Sequence, residues 1–392
     1  MNKLSFFNIF KSLISVILIN IIIIYSRLNK KKIIFFYHPR KLTVRIHTFY
    51  VEDLLKEFHP NTVIIYGYED IKSLGKNYFY IKNGYLKFLL SVDIFMSANL
   101  SDGFIKKSKK IYLNHHIYDS PLVNFKKEQT LCSRLSKYDI IFLPSQNLIK
   151  LFNEMFARHS TCVDIKTPML KEIGYPKFDF LENKINNIKN LKNSILISPT
   201  NIDADPKFSL FNELKELIIE LIDKTEFNII FRPHPLNRKN PKILEIKEMF
   251  NNCTKFSYDI SENYLLTFSK SICLVTEHSD VAYMFAFLTK HPVIFYSNKN
   301  LEYFINSEES EIKKYGYRNL NYFTNREKIG VVISRAKSAS EKINKIKYDL
   351  KKYELSILEL KKEIRYLGQS KKRFNDEIKN LIFNNHKSND KK

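Results

Sequence analysis

The chain has 392 residues, which is long for one ordinary α/β domain and comfortable for two. Its hydrophobic fraction of 44% and aromatic fraction of 14% can fill real cores, which excludes global disorder. The formal net charge of +23 requires an anionic counterpart, unless it reflects compositional bias alone. Because no zinc-finger spacing, RNP-like segment or basic zipper is present, we expect a membrane surface and phosphorylated ligands as partners, and no nucleic acid.

The four cysteines, Cys132, Cys162, Cys253 and Cys273, are scattered and form no CxxC pair. This spacing suits a reducing compartment and does not predict a metal site.

The N-terminus contains an apolar run over residues 12–25, followed by Arg27 and the basic cluster Lys30 to Lys32. A full membrane span needs roughly 20 apolar residues, so this run lies between a short span and an interfacial helix. A cleaved signal peptide and a buried core helix are the alternatives, but no small-x-small cleavage site follows. The basic cluster favours the cytoplasmic side. We therefore predict that residues 1–28 anchor the protein at the cytoplasmic face of the cell membrane.

The first half of the chain alternates short apolar runs with amphipathic segments. The runs predict buried parallel strands. Strands are predicted over residues 32–37, 62–66, 93–98, 110–114 and 138–144, and helices over 49–58 and 146–157. This alternation is typical of a doubly wound sheet.

The same alternation restarts after Asn193, beyond a Lys- and Asn-rich linker at residues 182–193. Strands are predicted over residues 194–198, 227–231, 271–276 and 292–296, and helices over 208–223, 242–250 and 281–288. The sequence therefore predicts a second α/β unit of similar size. A Lys/Glu-rich tail at residues 341–392 predicts one long helix and a second after Gly368, lying either on lipid or on the protein surface.

Four polar segments follow predicted strands, where ligands of open α/β sheets bind. In the first, residues 114–122, His115 and His116 are candidates for a general base that Asp119 orients. A pair of ordinary surface histidines is the alternative.

The second segment holds Arg232 and His234 between two prolines, which stiffen the loop. Such a pair suits a cluster of anionic oxygens, although a structural turn would have the same sequence.

The third segment, residues 276–280, precedes a predicted helix. Ser279 or Asp280 is an ordinary helix N-cap, and the same helix end can bind phosphate. The fourth segment, residues 198–205, contains Asp203 and Asp205. A DxD pair holds a divalent metal in some sugar transferases, but a chance pair in a polar loop is commoner.

Taken together and in order, these segments resemble the CDP-glycerol glycerophosphotransferases of teichoic-acid and capsule synthesis. That family has a His-Gly-Thr-Pro-Leu-type motif, then Gly-x-Pro-x-x-Asp, Ala-Pro-Thr, Arg-Pro-His-Pro, Thr-Asp-Tyr-Ser-Ser and Lys-Pro-Ile-Ile-Phe-Tyr. The corresponding segments here are His115 with Ser120 to Leu122, Gly174 to Asp179, Ser198 to Thr200, Arg232 to Pro235, Thr276 to Asp280, and Lys290 to Tyr296.

This chain also departs from the family pattern. Its first motif is longer, so either His115 or His116 can occupy the place of the family histidine. Glu277 replaces an aspartate, and Met284 stands where the family usually has an acidic residue.

The resemblance implies an α/β fold of GT-B type, with two Rossmann-like domains facing a cleft. Residues 29–185 would then form the acceptor domain and residues 186–340 the donor domain. The expected reaction moves glycerol phosphate from CDP-glycerol to a membrane-associated cell-surface polymer or a lipid-linked acceptor.

In that scheme His115 or His116 is the base, and His234 and Arg232 stabilise phosphate charge. Ser279, Thr200 and Glu277 belong to the donor site. No metal and no further cofactor is expected. The alternatives are a glycosyltransferase that uses a nucleotide sugar and a non-catalytic membrane-associated binding protein.

Overall fold

The structure is a computed structural model that describes residues 3–39, 44–58, 61–69, 77–118, 125–160, 165–188, 192–203, 206–261, 263–307 and 321–383. The chain divides into two compact units. Unit 1 comprises residues 1–115, 128–179 and 365–392, and unit 2 comprises residues 116–127 and 180–364. The domain limits predicted at residues 28, 185 and 340 stay predictions.

Unit 1 contains a seven-stranded, entirely parallel sheet with the strand order β3-β2-β1-β4-β5-β6-β7. The central strands are buried on both faces, as their continuous apolar sequences require. The strands are β1 (Lys32–His38), β2 (Thr62–Tyr68), β3 (Tyr78–Tyr80), β4 (Ile94–Ser97), β5 (Lys109–Leu113), β6 (Ile140–Leu143) and β7 (Met169–Glu172). The helices are α1 (Lys3–Leu28), α2 (Val44–Leu55), α3 (Phe125–Leu135), α4 (Gln146–His159) and α5 (Pro176–Ile185), which runs on into unit 2.

Unit 2 contains a six-stranded parallel sheet with the order β10-β9-β8-β11-β12-β13. Its strands are β8 (Ser194–Ile197), β9 (Asn228–Phe231), β10 (Phe256–Tyr258), β11 (Ser271–Thr276), β12 (Val293–Tyr296) and β13 (Gly330–Ile333). Its helices are α6 (Leu214–Lys224), α7 (Pro241–Met249), α8 (Leu265–Lys270), α9 (Val281–Thr289), α10 (Lys299–Asn306), α11 (Asn321–Thr324), α12 (Arg326–Ile329) and α13 (Ala339–Lys361). The order 3-2-1-4-5-6 of a Rossmann sheet therefore occurs in both units.

Helix α1 packs one face against the core of unit 1 and leaves an apolar face exposed. Val16, Ile19 and Ile23 are buried in the same cluster as strand β1. The amide of Asn20 donates to the Phe88 carbonyl at 3.1 Å and accepts from the Leu90 N–H at 2.8 Å. By length and composition alone, residues 8–28 are long and apolar enough to cross a membrane. The packed face makes this helix part of the domain.

The C-terminal tail forms the two predicted helices, and each packs into a core. Ile343 and Ile346 of α13 join the hydrophobic core of unit 2. The second helix, α14 (Ser370–Phe383), buries Phe374 and Ile378. Each helix therefore buries part of its apolar side against protein.

A clasp between the Gly174–Asp179 segment and the start of α14 holds the C-terminal helix on unit 1. The Asp179 carboxylate accepts hydrogen bonds from the N–H groups of Gly368, at 2.7 Å, and Ser370, at 2.9 Å. A carboxylate at a helix N-terminus satisfies unpaired donors and complements the helix dipole. Gly174 has φ +77°, and a Cβ there would lie 2.4 Å from Ser370 Oγ and 2.7 Å from the Tyr366 carbonyl oxygen. The motif shared with the family therefore has a structural role in this clasp.

We expect Gly174→Ala to lower the free energy of unfolding by about 2 kcal/mol or more, because it combines a left-handed backbone with a steric clash. Denaturant unfolding measures the change. Gly84→Ala is the matched control, since a Cβ at Gly84 meets nothing within 4 Å. Equal stability of the two variants would show that the clasp tolerates a side chain.

Candidate active site

The polar segments of unit 2 meet at the topological switch point of its sheet. Strands β8 and β11 are neighbours at the position where the strand order reverses, and β9 follows β8 outward. The segments at residues 198–203, 232–237 and 277–280 leave the carboxyl ends of these three strands. Open α/β sheets bind ligands outside this edge, at the switch point.

Glu277 ties two of these loops together through backbone hydrogen bonds. Its buried carboxylate accepts from the N–H of Thr200 at 2.8 Å and from the N–H of Leu210 at 2.7 Å. Burial raises the pKa of Glu277, and these hydrogen bonds act in the opposite direction. Glu277 therefore fixes the position of the loop that carries Thr200, and its predicted contact with the donor stays a prediction.

Arg232 is held inside the protein by acceptors of its own unit. Its Nη1 lies 2.5 Å from Asp259 Oδ2, and its Nη2 donates to the Ser261 carbonyl at 2.7 Å. Burial would raise the pKa of Asp259, but hydrogen bonds from Thr267 and Ser261 and the charge of Arg232 lower it. The guanidinium therefore braces the loop, and the predicted contact of Arg232 with phosphate stays a prediction.

His234 is half-buried, and one of its ring nitrogens accepts a hydrogen bond from the backbone. Nδ1 accepts from the N–H of Leu236 at 3.3 Å. A ring that accepts at Nδ1 carries its proton at Nε2 when neutral. His234 thus has an N–H donor suited to an anionic oxygen.

Asn237, which no sequence motif indicates as a site residue, joins the loops that follow β8 and β9. Its buried amide donates to Asp203 Oδ2 at 2.8 Å and accepts from the N–H of Ile202 at 3.2 Å. The Asp203 carboxylate is therefore engaged by an amide, and Asp205 lies outside the described residues. Among the described residues no group of three or more His, Cys, Asp and Glu side chains is placed to hold a metal ion. The expectation that no metal is needed stays a prediction.

A tyrosine hydroxyl holds the segment that directly precedes α9. The Tyr322 hydroxyl donates to the carbonyl groups of Glu277, at 3.3 Å, and Ser279, at 3.2 Å. The Ser279 hydroxyl accepts weakly from the N–H of Val281 at 3.4 Å. A helix end held in this way presents backbone donors and a positive dipole to an anion.

The two candidate bases have different surroundings, because the chain passes from unit 1 to unit 2 between them. His115 Nδ1 lies 2.9 Å from the Tyr112 hydroxyl, and its carbonyl accepts from Tyr175 at 2.5 Å. His116 Nδ1 instead lies 3.7 Å from Asp280 Oδ2. Asp280 is therefore a carboxylate that lies beside His116, while the predicted partner Asp119 lies outside the described residues.

Tyr118 fixes the segment that carries His116 on unit 2. Its ring stacks on Tyr283 of α9, with centroids 4.2 Å apart, and its hydroxyl donates to Glu363 at 3.2 Å. The N–H of Ile117 also donates to Asp280 Oδ2, at 3.4 Å. His116, Asp280 and the start of α9 thus form one local cluster.

Two parallel sheets of Rossmann order, with polar loops at a switch point, define an α/β protein of GT-B-like class, which confirms the predicted fold class at this level. More particularly, the chain belongs to the CDP-glycerol:poly(glycerophosphate) glycerophosphotransferase family, whose model matches residues 20–357. This match confirms the resemblance inferred from the motifs.

Relatives and solved structures agree with this family. The teichoic acid poly(glycerol phosphate) polymerase of Bacillus spizizenii is 30% identical over 190 residues, which are 44% of this chain and 43% of that protein. The chain thus matches less than half of that relative's length. The wall teichoic acid polymerase TagF has a similar structure, with a TM-score of 0.64 and 17% identity over 91% of this chain and 90% of that one. A TagF variant soaked with CDPG has a TM-score of 0.61 and 18% identity, over 99% and 100% of the two chains. At these identities the two structures show a shared fold.

Proposed function

We propose that this chain is a glycerophosphotransferase, which transfers glycerol phosphate from CDP-glycerol to a membrane-associated polymer or a lipid-linked acceptor. Membership of the family over residues 20–357 carries the proposal, because that range includes every polar loop at the switch point of unit 2. The TagF variant soaked with CDPG supports the choice of donor. That two domains face a cleft, with the acceptor on residues 29–185 and the donor on residues 186–340, stays a prediction.

In the proposed reaction, an acceptor hydroxyl attacks the phosphorus next to the glycerol of CDP-glycerol. The new O–P bond forms as the bond to the CMP oxygen breaks, so CMP leaves with its electron pair. Phosphoryl transfer of this kind needs positioning and charge stabilisation. His116, oriented by Asp280, accepts the hydroxyl proton. The Nε2–H of His234 and the start of α9 stabilise the phosphoryl oxygens.

A donor panel tests this function directly. We expect the full chain, with a glycerol-phosphate-primed acceptor, to release CMP from CDP-glycerol and to leave UDP- and GDP-sugars unchanged, with EDTA present or absent. Release of nucleotide only from sugar donors would instead establish a glycosyltransferase. Nucleotide binding without turnover of any donor would indicate a non-catalytic binding protein.

We also propose that the exposed face of α1 lies in the interface of the cytoplasmic membrane leaflet. Large apolar side chains line this face at helical spacing, and Lys30 and Lys31 follow the helix. Their exposed fractions run from 41% to 78% at Phe10, Leu13, Ile14, Ile17, Leu18, Ile21, Ile24, Tyr25 and Leu28. An apolar helix face beside cations suits an anionic bilayer.

We expect the combined change Ile17→Ser, Ile21→Ser and Ile24→Ser to reduce binding to anionic vesicles by roughly tenfold or more, because apolar area no longer enters the lipid. Vesicle flotation measures it. Substitution is preferable to removal of residues 1–28, since removal would uncover the core contacts of Ile19 and Ile23.

The matched control changes three exposed apolar residues of unit 2 to serine, Leu244, Met249 and Ile260. This control should float like the unmodified protein. Unchanged flotation of the α1 variant, with intact folding, would contradict the interfacial role of α1.

A further inference from the structure

A cavity of about 600 Å³ opens at the amino edge of the sheet in unit 2. It is lined by the segments that directly precede β8, β11 and β12, by the end of α9 and by one side of α13. Strands of four to six residues extend roughly 13–20 Å, so the cavity lies at the opposite edge from the switch-point loops. Its volume is in the range of small-molecule sites.

The charged groups on the cavity wall are mostly cationic. They are Lys192, Lys290, Lys351 and a single acid, Glu354, beside the neutral imidazole of His291. Lys351 already pairs with Glu354 at 3.0 Å.

Lys192 and Lys290 are not neutralised in this way. The Lys192 ammonium donates to the Ser271 carbonyl at 3.3 Å. Across the described ranges, no carboxylate lies within ion-pair distance of Lys192 or Lys290. The hydrogen bond from Lys351 and the charges of Lys351 and Lys290 lower the pKa of the Glu354 carboxyl. One carboxylate therefore faces three lysines, Lys192, Lys290 and Lys351, around the cavity.

Burial disfavours the charged forms of two groups on the cavity wall. Burial lowers the pKa of Lys192 to about 8. Burial, followed by repulsion from Lys192, lowers the pKa of His291 to about 4. Partial burial of the Lys192 ammonium is unfavourable, and an anion in the cavity would offset it.

Lys290 has an unusual backbone conformation. It follows α9 with φ +60°, in the left-handed region where glycine or asparagine is usual. Residues other than glycine and asparagine are unfavourable in this backbone conformation. The lysine that the chain has at this position lines the cavity.

We propose that this cavity is a second binding site, separate from the switch-point loops, for a phosphate-bearing anion. Lys192 and Lys290 would contact the phosphate oxygens, and the apolar wall formed by Ile188, Leu288 and Leu350 would contact the uncharged part of the ligand. A stretch of glycerol phosphate chain and a free nucleotide by-product share this chemistry. Only the choice between these two sources depends on the proposed function.

Calorimetric titration of the full chain tests the site with three probes: inorganic phosphate, CMP and a short glycerol phosphate oligomer. We expect at least one probe to bind the His234→Ala variant with the same affinity as the unmodified protein. The affinity of that probe for the double variant Lys192→Met, Lys290→Asn should be lower by roughly tenfold or more, because charge-assisted hydrogen bonds are lost. Asparagine at residue 290 keeps a residue that tolerates the left-handed conformation. The control is Lys347→Gln, which removes a cation of the same helix that pairs with Glu226 outside the cavity.

Protection of Lys192 from trace acetylation locates the bound probe. The expected result is slower labelling of Lys192 with the probe present, and unchanged labelling of Lys347. Equal affinity of the double variant and the unmodified protein would overturn the proposal. So would the absence of binding by all three probes, or binding that His234→Ala alone removes. None of these outcomes depends on turnover, so the proposed function can fail or hold independently.

Discussion

Replacing His116 by alanine is expected to lower turnover of CDP-glycerol by roughly 10²- to 10⁴-fold, the usual effect of removing a general base. The physical reason is that His116 lies beside Asp280, whose carboxylate is placed near enough to orient the ring in the proposed reaction. The affinity for CMP should change little, because a base acts on the acceptor hydroxyl. Turnover at saturating donor, together with CMP affinity, measures the two effects separately.

The neighbouring histidine is the matched control. His115 lies against Tyr112, and its carbonyl is bound by Tyr175, so His115→Ala should mainly loosen the end of β5. Asp280→Asn, which retains the size of the side chain, should lower turnover in the same sense as His116→Ala. A large loss in His115→Ala with normal turnover in His116→Ala would move the base to His115. Near-normal turnover in both would remove the base from the mechanism.

The buried strands could be predicted from sequence because both faces of each are covered, which requires a continuous apolar run. KIIFFY in β1 and SICLVT in β11 are such runs. The sequence patterns did not predict the four strands at the sheet edges, which are β3, β7, β10 and β13. For example, YFY in β3 is only three residues long, and MLKE in β7 is only partly buried, so neither carries a clear periodic signal.

The loops that carry the polar side chains of the site could be predicted from sequence, because polar residues that follow buried strands must lie at one edge of a parallel sheet. The hydrogen-bond and charge partners of those residues could not be predicted. Asp259 is 27 residues from Arg232, and Asp280 is more than 160 residues from His116. Such pairs depend on strand order and on the path of the chain between units, neither of which local patterns encode. Arg232 and Glu277 are buried and bind other groups of unit 2. The polar sequences of their loops did not indicate that these two side chains are buried.

His234→Ala is expected to lower turnover by roughly 10²- to 10³-fold, as the loss of one donor to a transition-state oxyanion does. The side chain lies in a loop braced by Arg232, and its Nδ1 accepts from the N–H of Leu236, so we propose that the Nε2–H donates to phosphate. Because donor phosphates are bound in the ground state as well, the KM for CDP-glycerol should rise too.

His234→Asn separates the two roles of the ring: its side-chain oxygen can still accept from Leu236, but it cannot reach as far as Nε2. We therefore expect His234→Asn to fold like the unmodified protein and to remain as impaired as the alanine variant. Steady-state kinetics and thermal unfolding of both variants decide the point. Recovery of turnover in His234→Asn would show that His234 only caps the turn, and the stabilisation of the phosphoryl group would then have to come from the start of α9 alone.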